Sequence, residues 1–233
     1  MMTRKEDQMI MAKNNGETVI LKDLWSLLPG QWVSDAVVHY VVKAMVDPVG
    51  ITDEGVAFFT SFFITKLFQE GMAENEGGGA FLYHGVKKWK KILKRPINEM
   101  DTLIFFRNQS NMHWLVYVIF IGQKTIQEFD SLSGGQGDKE VLKGLYKWLE
   151  IEMKEVGIIL EESEWNLYPP DIENTPQQNN GNDCGIFMLL FAVCIAQGLP
   201  LNLVTNDRVA TARRLLIHHF LQKEKEFGDT GLL

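Results

Sequence analysis

The sequence predicts an α+β fold with an N-terminal helical part, a central mixed sheet and a buried helix, and three observations carry that prediction. Apolar residues recur at helical spacing over 35–46 and again over 139–156. Between them, segments 102–106, 113–121 and 125–132 are rich in β-branched and aromatic residues and are divided by short polar breaks. Finally, 186–196 is an uninterrupted apolar run of 11 residues. A bilayer span needs about 18 such residues, so this run reads as a helix buried in protein.

Taken in order, residues 1–18 read as a polar tail and 19–225 as a single domain. Ser34 or Asp35 caps the amphipathic helix 35–46. A second helix is expected over 54–70 and a third over 80–93, the last ending in a basic cluster with Pro96 as its stop. Gly122-Gln123-Lys124 is short enough to close a hairpin, which makes 113–121 and 125–132 antiparallel neighbours. Helix 139–156 follows, then a short strand over 165–168 and a loop rich in Pro, Asn and Gln over 169–182. The buried helix and a last helix over 207–223 complete the order.

Composition excludes several functions. The chain of 233 residues carries 23 Lys plus Arg against 30 Asp plus Glu, a net charge of −7, which disfavours nucleic acid as a partner. No segment is long and apolar enough to predict a membrane span. The polar opening residues lack the apolar core of a secretory signal, and Cys184 and Cys194 are too few for a structural zinc and poorly spaced for a disulfide. They read as free thiols in a reducing compartment, so cytoplasmic and/or nuclear residence is expected. His39, His84, His218 and His219 have no ligand pattern, and neither a metal nor a cofactor is expected. The run KKWKKILKR at 87–95 reads as the solvated face of a helix or as a nuclear localisation signal.

Three reactive groups fall at informative places. His113 opens one strand of the predicted hairpin and Asp130 ends the other, so the ladder brings them within reach of each other. An aspartate there orients the imidazole. Cys184 opens the buried helix, where exposed amides favour a thiolate. Gln178, six positions earlier, is placed to donate to a developing oxyanion alongside the Cys184 backbone N–H. Gly181 and Gly185 let the backbone turn tightly and come close to a substrate.

The segment PQQNNGNDCGIF at 176–187 resembles the P-Q-Q-x-N-G-x-D-C-G-x-F signature of the ubiquitin-like-protein-specific cysteine proteases, the SUMO-deconjugating enzymes of clan CE. His113-Trp114, followed 17 positions later by Asp130-Ser131-Leu132, is similar to that family's His-Trp and Asp-Ser pair. Gln31-Trp32-Val33-Ser34-Asp35 resembles its Trp-Leu-Asn-Asp element. The resemblance implies a papain-like fold of the Ulp type, with His113 as general base, Asp130 as its orienter, Cys184 as nucleophile and Gln178 as oxyanion donor. It further implies that Trp32 and Trp114 flank a channel for the side-chain-free Gly-Gly end of a modifier. Gly181 and Asp183 of the signature are expected to border that tail, and Asp35 either caps its helix or meets a basic surface of the modifier. The implied activity is hydrolysis after the C-terminal Gly-Gly of a ubiquitin-like modifier, in a precursor or in a lysine conjugate, by a monomer. SUMO is the leading partner, with a NEDD-class modifier or ubiquitin as alternatives. A clan CE acetyltransferase and a non-catalytic modifier-binding module are the rival readings.

Overall fold

A computed structural model describes residues 6–14, 16–46, 55–68, 81–132, 134 and 137–229. In chain order the elements are β1 (Ile10–Asn14), β2 (Glu17–Ile20), α1 (Leu21–Leu24), α2 (Asp35–Val46), β3 (Val56–Phe59), α3 (Phe62–Phe68), α4 (Tyr83–Val86), β4 (Thr102–Gln109), β5 (His113–Phe120), β6 (Thr125–Phe129), α5 (Lys139–Glu155), β7 (Asn166–Tyr168), α6 (Cys184–Ala196) and α7 (Asn206–Asp229). They group into two compact units, one drawn from residues 1–51 and 178–233, the other from 52–177.

The 52–177 unit is built on a five-stranded sheet in the order β3-β4-β5-β6-β7. β4, β5 and β6 are antiparallel neighbours, the β5–β6 pairing being the one that the short 122–124 loop predicts, while β3 and β7 add parallel strands at the two edges. The sheet is therefore mixed. Its core is aromatic: Phe59 stacks on Phe105 at 4.4 Å between centroids, and Trp148 of α5 meets Phe63 edge-on at 5.2 Å. Asp138 starts α5 by accepting the amides of Glu140 and Val141 at 3.1 and 3.2 Å. From there α5 turns Leu142, Leu145, Trp148 and Leu149 into the core.

The other unit packs the hairpin β1–β2 and α7 around α2 and α6. α6 is apolar on every side, as a helix with no wet face must be, and Ile186, Phe187, Met188 and Phe191 are all buried. Tyr40 of α2 reaches Phe220 of α7 with ring centroids 5.0 Å apart.

Three expectations are corrected. The helix over 54–70 is a strand followed by a short helix, β3 and α3, with residues 54, 69 and 70 outside the described set. Val56, Ala57 and Phe59 are all buried, and a short run without polar positions carries no period to separate strand from helix. The helix over 80–93 is only α4 and a 3-10 turn at Trp89–Ile92, with residue 80 outside the described set. Gly85 lets α4 press on α3, since a Cβ there would lie 2.8 Å from the Lys66 carbonyl oxygen. Lys90 of that basic run pairs with Glu152 at 3.3 Å.

The polar tail expected over 1–18 contains β1 and the start of β2, which form a hairpin: Met11, Ala12 and Val19 are buried, while residues 1–5 and 15 lie outside the described set. A register shift between Ile10 and Ala12 buries two consecutive residues and so erases the alternation by which a strand is recognised. The first hundred residues thus hold three strands among the described residues, yet their helices outweigh those strands and the N-terminal part is mainly helical. Among the described residues, no helix is long and apolar enough to cross a membrane.

Candidate active site

The first cluster lies in the 52–177 unit, at one end of its sheet. β4 and β5 are joined by Ser110-Asn111-Met112, with φ of 52° at Ser110 and 55° at Asn111, and Gln109 pairs directly with His113. This tight reversal fixes His113 as the first residue of β5. Val116 pairs with Phe129, so continuing the register sets Asp130 opposite Leu115, on the same face as His113 and one diagonal step away. His113 Nε2 then meets Asp130 Oδ1 at 2.7 Å.

Asp130 is itself held. Its Oδ1 also accepts the Leu132 amide at 2.8 Å, and its backbone carbonyl accepts the Gln177 side-chain amide at 3.1 Å. Asp130 and Ser131 are buried, so the carboxylate has little freedom to turn. With Nε2 facing a carboxylate, the imidazole carries its proton there, and Nδ1 is the nitrogen left for chemistry.

Further along the same face, Arg107 donates to the Tyr117 hydroxyl at 3.1 Å and to Asp138 at 2.8 Å, and Glu128 accepts the Asp138 amide at 2.8 Å. Burial pushes the Glu128 carboxyl above its usual range, an effect that the Asp138 amide partly offsets. This network braces the strand end from which Asp130 emerges.

The second cluster lies in the other unit, in the turn before α6. Cys184 is the first residue of α6 and is buried. Asp183 caps the helix through its carbonyl, which accepts the amides of Ile186 and Phe187 at 3.0 Å each. Asn180 Oδ1 accepts the amides of Asn182 and Asp183 at 3.0 and 3.1 Å. Trp32, 51% exposed, donates its indole N–H to the Gly181 carbonyl at 2.8 Å. Gln178 donates its side-chain amide to the Asn180 carbonyl at 2.5 Å.

Of the residues singled out in the sequence, the structure brings His113 to Asp130 and Trp32 to Gly181, and it sets Gln178 and Asp183 in the turn that precedes Cys184. Trp114 is buried, in contrast to Trp32. The cap of α2 is Ser34, whose hydroxyl accepts the Val37 amide at 3.3 Å, so Asp35 sits exposed in the first turn. Both cysteines are free thiols. Sequence reading gave no role to Arg213, nor to Leu132 and Gln177, which stand inside the motifs it singled out. Leu132 acts through its backbone, and nothing but the fold brings the other two to their partners.

A histidine held by a buried aspartate, and a cysteine at the head of a buried helix, are each groups that cysteine peptidases use. The chain belongs to the Ulp1 protease family, whose C-terminal catalytic domain model matches residues 31–221. Ubiquitin-like-specific protease 1 of Saccharomyces cerevisiae is 29% identical over 220 residues, covering 93% of this chain and 31% of that protein. Sentrin-specific protease 2 of Pongo abelii is 26% identical, covering 87% of this chain and 32% of its own length. The chain thus spans about a third of the length of these relatives. Among solved structures, the C-terminal Ulp1 protease domain in complex with Smt3, the yeast ortholog of SUMO, is similar with a TM-score of 0.74 at 25% identity, covering 95% of this chain and 96% of that one. The catalytic domain of the Chaetomium thermophilum Ulp1-like SUMO protease shares the fold with a TM-score of 0.72 at 23% identity, over 93% of this chain and 84% of that one.

Proposed function

We propose that this chain is a thiol-dependent peptidase and isopeptidase that cuts after the C-terminal Gly-Gly of a ubiquitin-like modifier, SUMO first among the candidates. The observation that carries the reading is the 2.7 Å bond from His113 Nε2 to Asp130 Oδ1, which Leu132 also holds, in a chain whose residues 31–221 match the catalytic domain of the family. Relatives named as ubiquitin-like-specific and sentrin-specific proteases, and a similar domain solved with Smt3, support the choice of substrate.

In this reading His113 Nδ1 takes the Cys184 thiol proton, and the thiolate attacks the carbonyl carbon of the last glycine. The resulting oxyanion takes hydrogen bonds from the Cys184 backbone N–H and from Gln178, which gives up its bond to the Asn180 carbonyl. Collapse breaks the C–N bond, and the imidazolium hands its proton to the leaving amine. His113 then deprotonates a water that hydrolyses the thioester, freeing the modifier's carboxylate and restoring the thiol. Asp130 steadies the imidazolium throughout. No cofactor enters these steps. Trp32 and Trp114 would flank the diglycine tail, with Gly181 and Asp183 at its edge and Asp35 toward the modifier's body.

We place the activity in a single catalytic domain that includes the β1–β2 hairpin, acting as a monomer in the cytoplasm and/or nucleus. The test is covalent labelling by modifiers that end in a Gly-Gly electrophile, built on SUMO, a NEDD-class modifier and ubiquitin. SUMO probe labelling that disappears in Cys184→Ala supports the reading. Labelling confined to another probe changes the substrate, and no labelling by any of them refutes the peptidase.

A further inference from the structure

Arg213 of α7 is buried, and its guanidinium donates to four acceptors on two chain segments far from it in sequence. Its Nε meets Asp183 Oδ1 at 2.7 Å, and one Nη2 proton meets the Asn182 carbonyl at 3.0 Å. The same Nη2 reaches the Gln31 carbonyl at 2.9 Å, while Nη1 reaches the Ser26 carbonyl at 3.0 Å. One planar group thereby joins the turn that delivers Cys184 to the segment that delivers Trp32.

The turn has few other ways to move. Asp183 Oδ2 is taken by the Asn180 side-chain amide at 2.7 Å, and the Gly181 carbonyl by Trp32 at 2.8 Å. Asp183 also supplies the carbonyl on which α6 begins, so any shift of its backbone is passed directly to Cys184. A buried guanidinium is a poor way to gain stability, since a buried ion pair often does no better than a well-packed apolar group of similar size. Its fork geometry, by contrast, sets directions that a single ammonium cannot reproduce. Both considerations favour a role in placement.

We infer that Arg213 is a positioning residue that locks the Cys184 turn and the Trp32 segment into one fixed arrangement, and so governs both the placement of the nucleophile and the discrimination of the substrate tail. This rests on the reading of Cys184 as nucleophile. Arg213→Lys keeps the charge but loses the fork. Because a displacement of about 1 Å can cost roughly 10²-fold in rate, kcat should fall by about 10- to 100-fold. The preference for a Gly-Gly over an Ala-Gly tail, read as a ratio of kcat/KM values, should narrow several-fold. Loss of stability alone lowers the amount of active enzyme and leaves that ratio untouched. Arg214→Lys is the control, since Arg214 is exposed, donates to its helix neighbour Thr211 at 3.0 Å and should keep the wild-type ratio.

A second measurement does not need activity: the rate at which iodoacetamide alkylates Cys184 in a Cys194→Ala background. Cys184 is 2% exposed, and loosening its turn should raise that rate several-fold. If Arg213→Lys does not fold, Asp183→Asn severs the ion pair while keeping the shape, and both readouts should move the same way. A wild-type ratio together with a wild-type alkylation rate in the folded variant overturns the inference. A wild type that cuts neither tail, with alkylation still accelerated by Arg213→Lys, upholds the positioning and refutes the peptidase reading instead.

Discussion

Replacing Asp130 by asparagine is expected to slow turnover only modestly, and the reason lies in one backbone amide. In a generic triad such a change presents the wrong tautomer, because the amide turns its NH₂ toward the imidazole, and costs about 10⁴-fold, as it does in the chymotrypsin-type enzymes. Here the oxygen that faces His113 also accepts the Leu132 N–H at 2.8 Å. Rotating the substituted side-chain amide would set its NH₂ against that N–H, so the carbonyl oxygen should stay where Oδ1 is now. The hydrogen bond to Nε2 then survives and only its charge is lost. A bond to a charged group is worth about 1.5–3 kcal/mol against 0.5–1.5 for a neutral one, so the loss is about 1–2 kcal/mol. At about 1.4 kcal/mol per decade that is roughly a 5- to 30-fold fall in kcat. Asp130→Ala removes the orienting group itself and should approach the full loss of about 10⁴-fold. The assay is steady-state cleavage of a fluorogenic SUMO tail, with thermal unfolding as a check on the fold. A loss of about 10³-fold or more in Asp130→Asn refutes the lock by Leu132, and an unchanged kcat refutes the pairing of Asp130 with the acting histidine.

Two further outcomes concern the fold. Gly144→Ala in α5 should destabilise, because the new Cβ would lie 2.2 Å from Phe68 Cζ; overpacking of about 1–3 kcal/mol outweighs a helix-propensity gain of about 1 kcal/mol, and a rise in thermal midpoint would contradict this. His39 in α2 has its pKa lowered from 6.5, chiefly by burial and against the charges of Glu17 and Asp35. Below pH 6.5 the unfolded chain therefore takes up the proton first. Stability should be level above that pH and fall as pH drops toward the folded-state value, and His39→Gln should flatten this slope in denaturant midpoints measured between about pH 5 and 8.

Much of the candidate site was legible in the sequence, and the particular residues show why. His113 and Asp130 lie at the two ends of one hairpin, and a period of two with a short loop settles which side chains share a face before any tertiary contact is considered. Cys184 opens an apolar run whose buried character follows from composition alone. These are local properties. Strands β3 and β1 were harder: β3 is apolar and mostly buried and carries no alternation, and the bulge in β1 cancels what alternation it has.

What the chain decides without help is the set of elements whose pattern repeats along it, together with the reactive groups placed at their ends. What only the tertiary structure decided is the support around those groups. Arg213 is separated from Ser26 by 187 positions and from Asp183 by 30, and nothing in the helical pattern of α7 marks it off from its neighbour Arg214. Likewise Gln177 reaches back 47 positions to the Asp130 carbonyl, and it adjoins Gln178, from which composition cannot distinguish it. A hydrogen bond between distant segments depends on where two backbones come to rest. That placement is set by the burial of Phe187, Phe191, Phe220 and the other core side chains together, and no single window of sequence contains it.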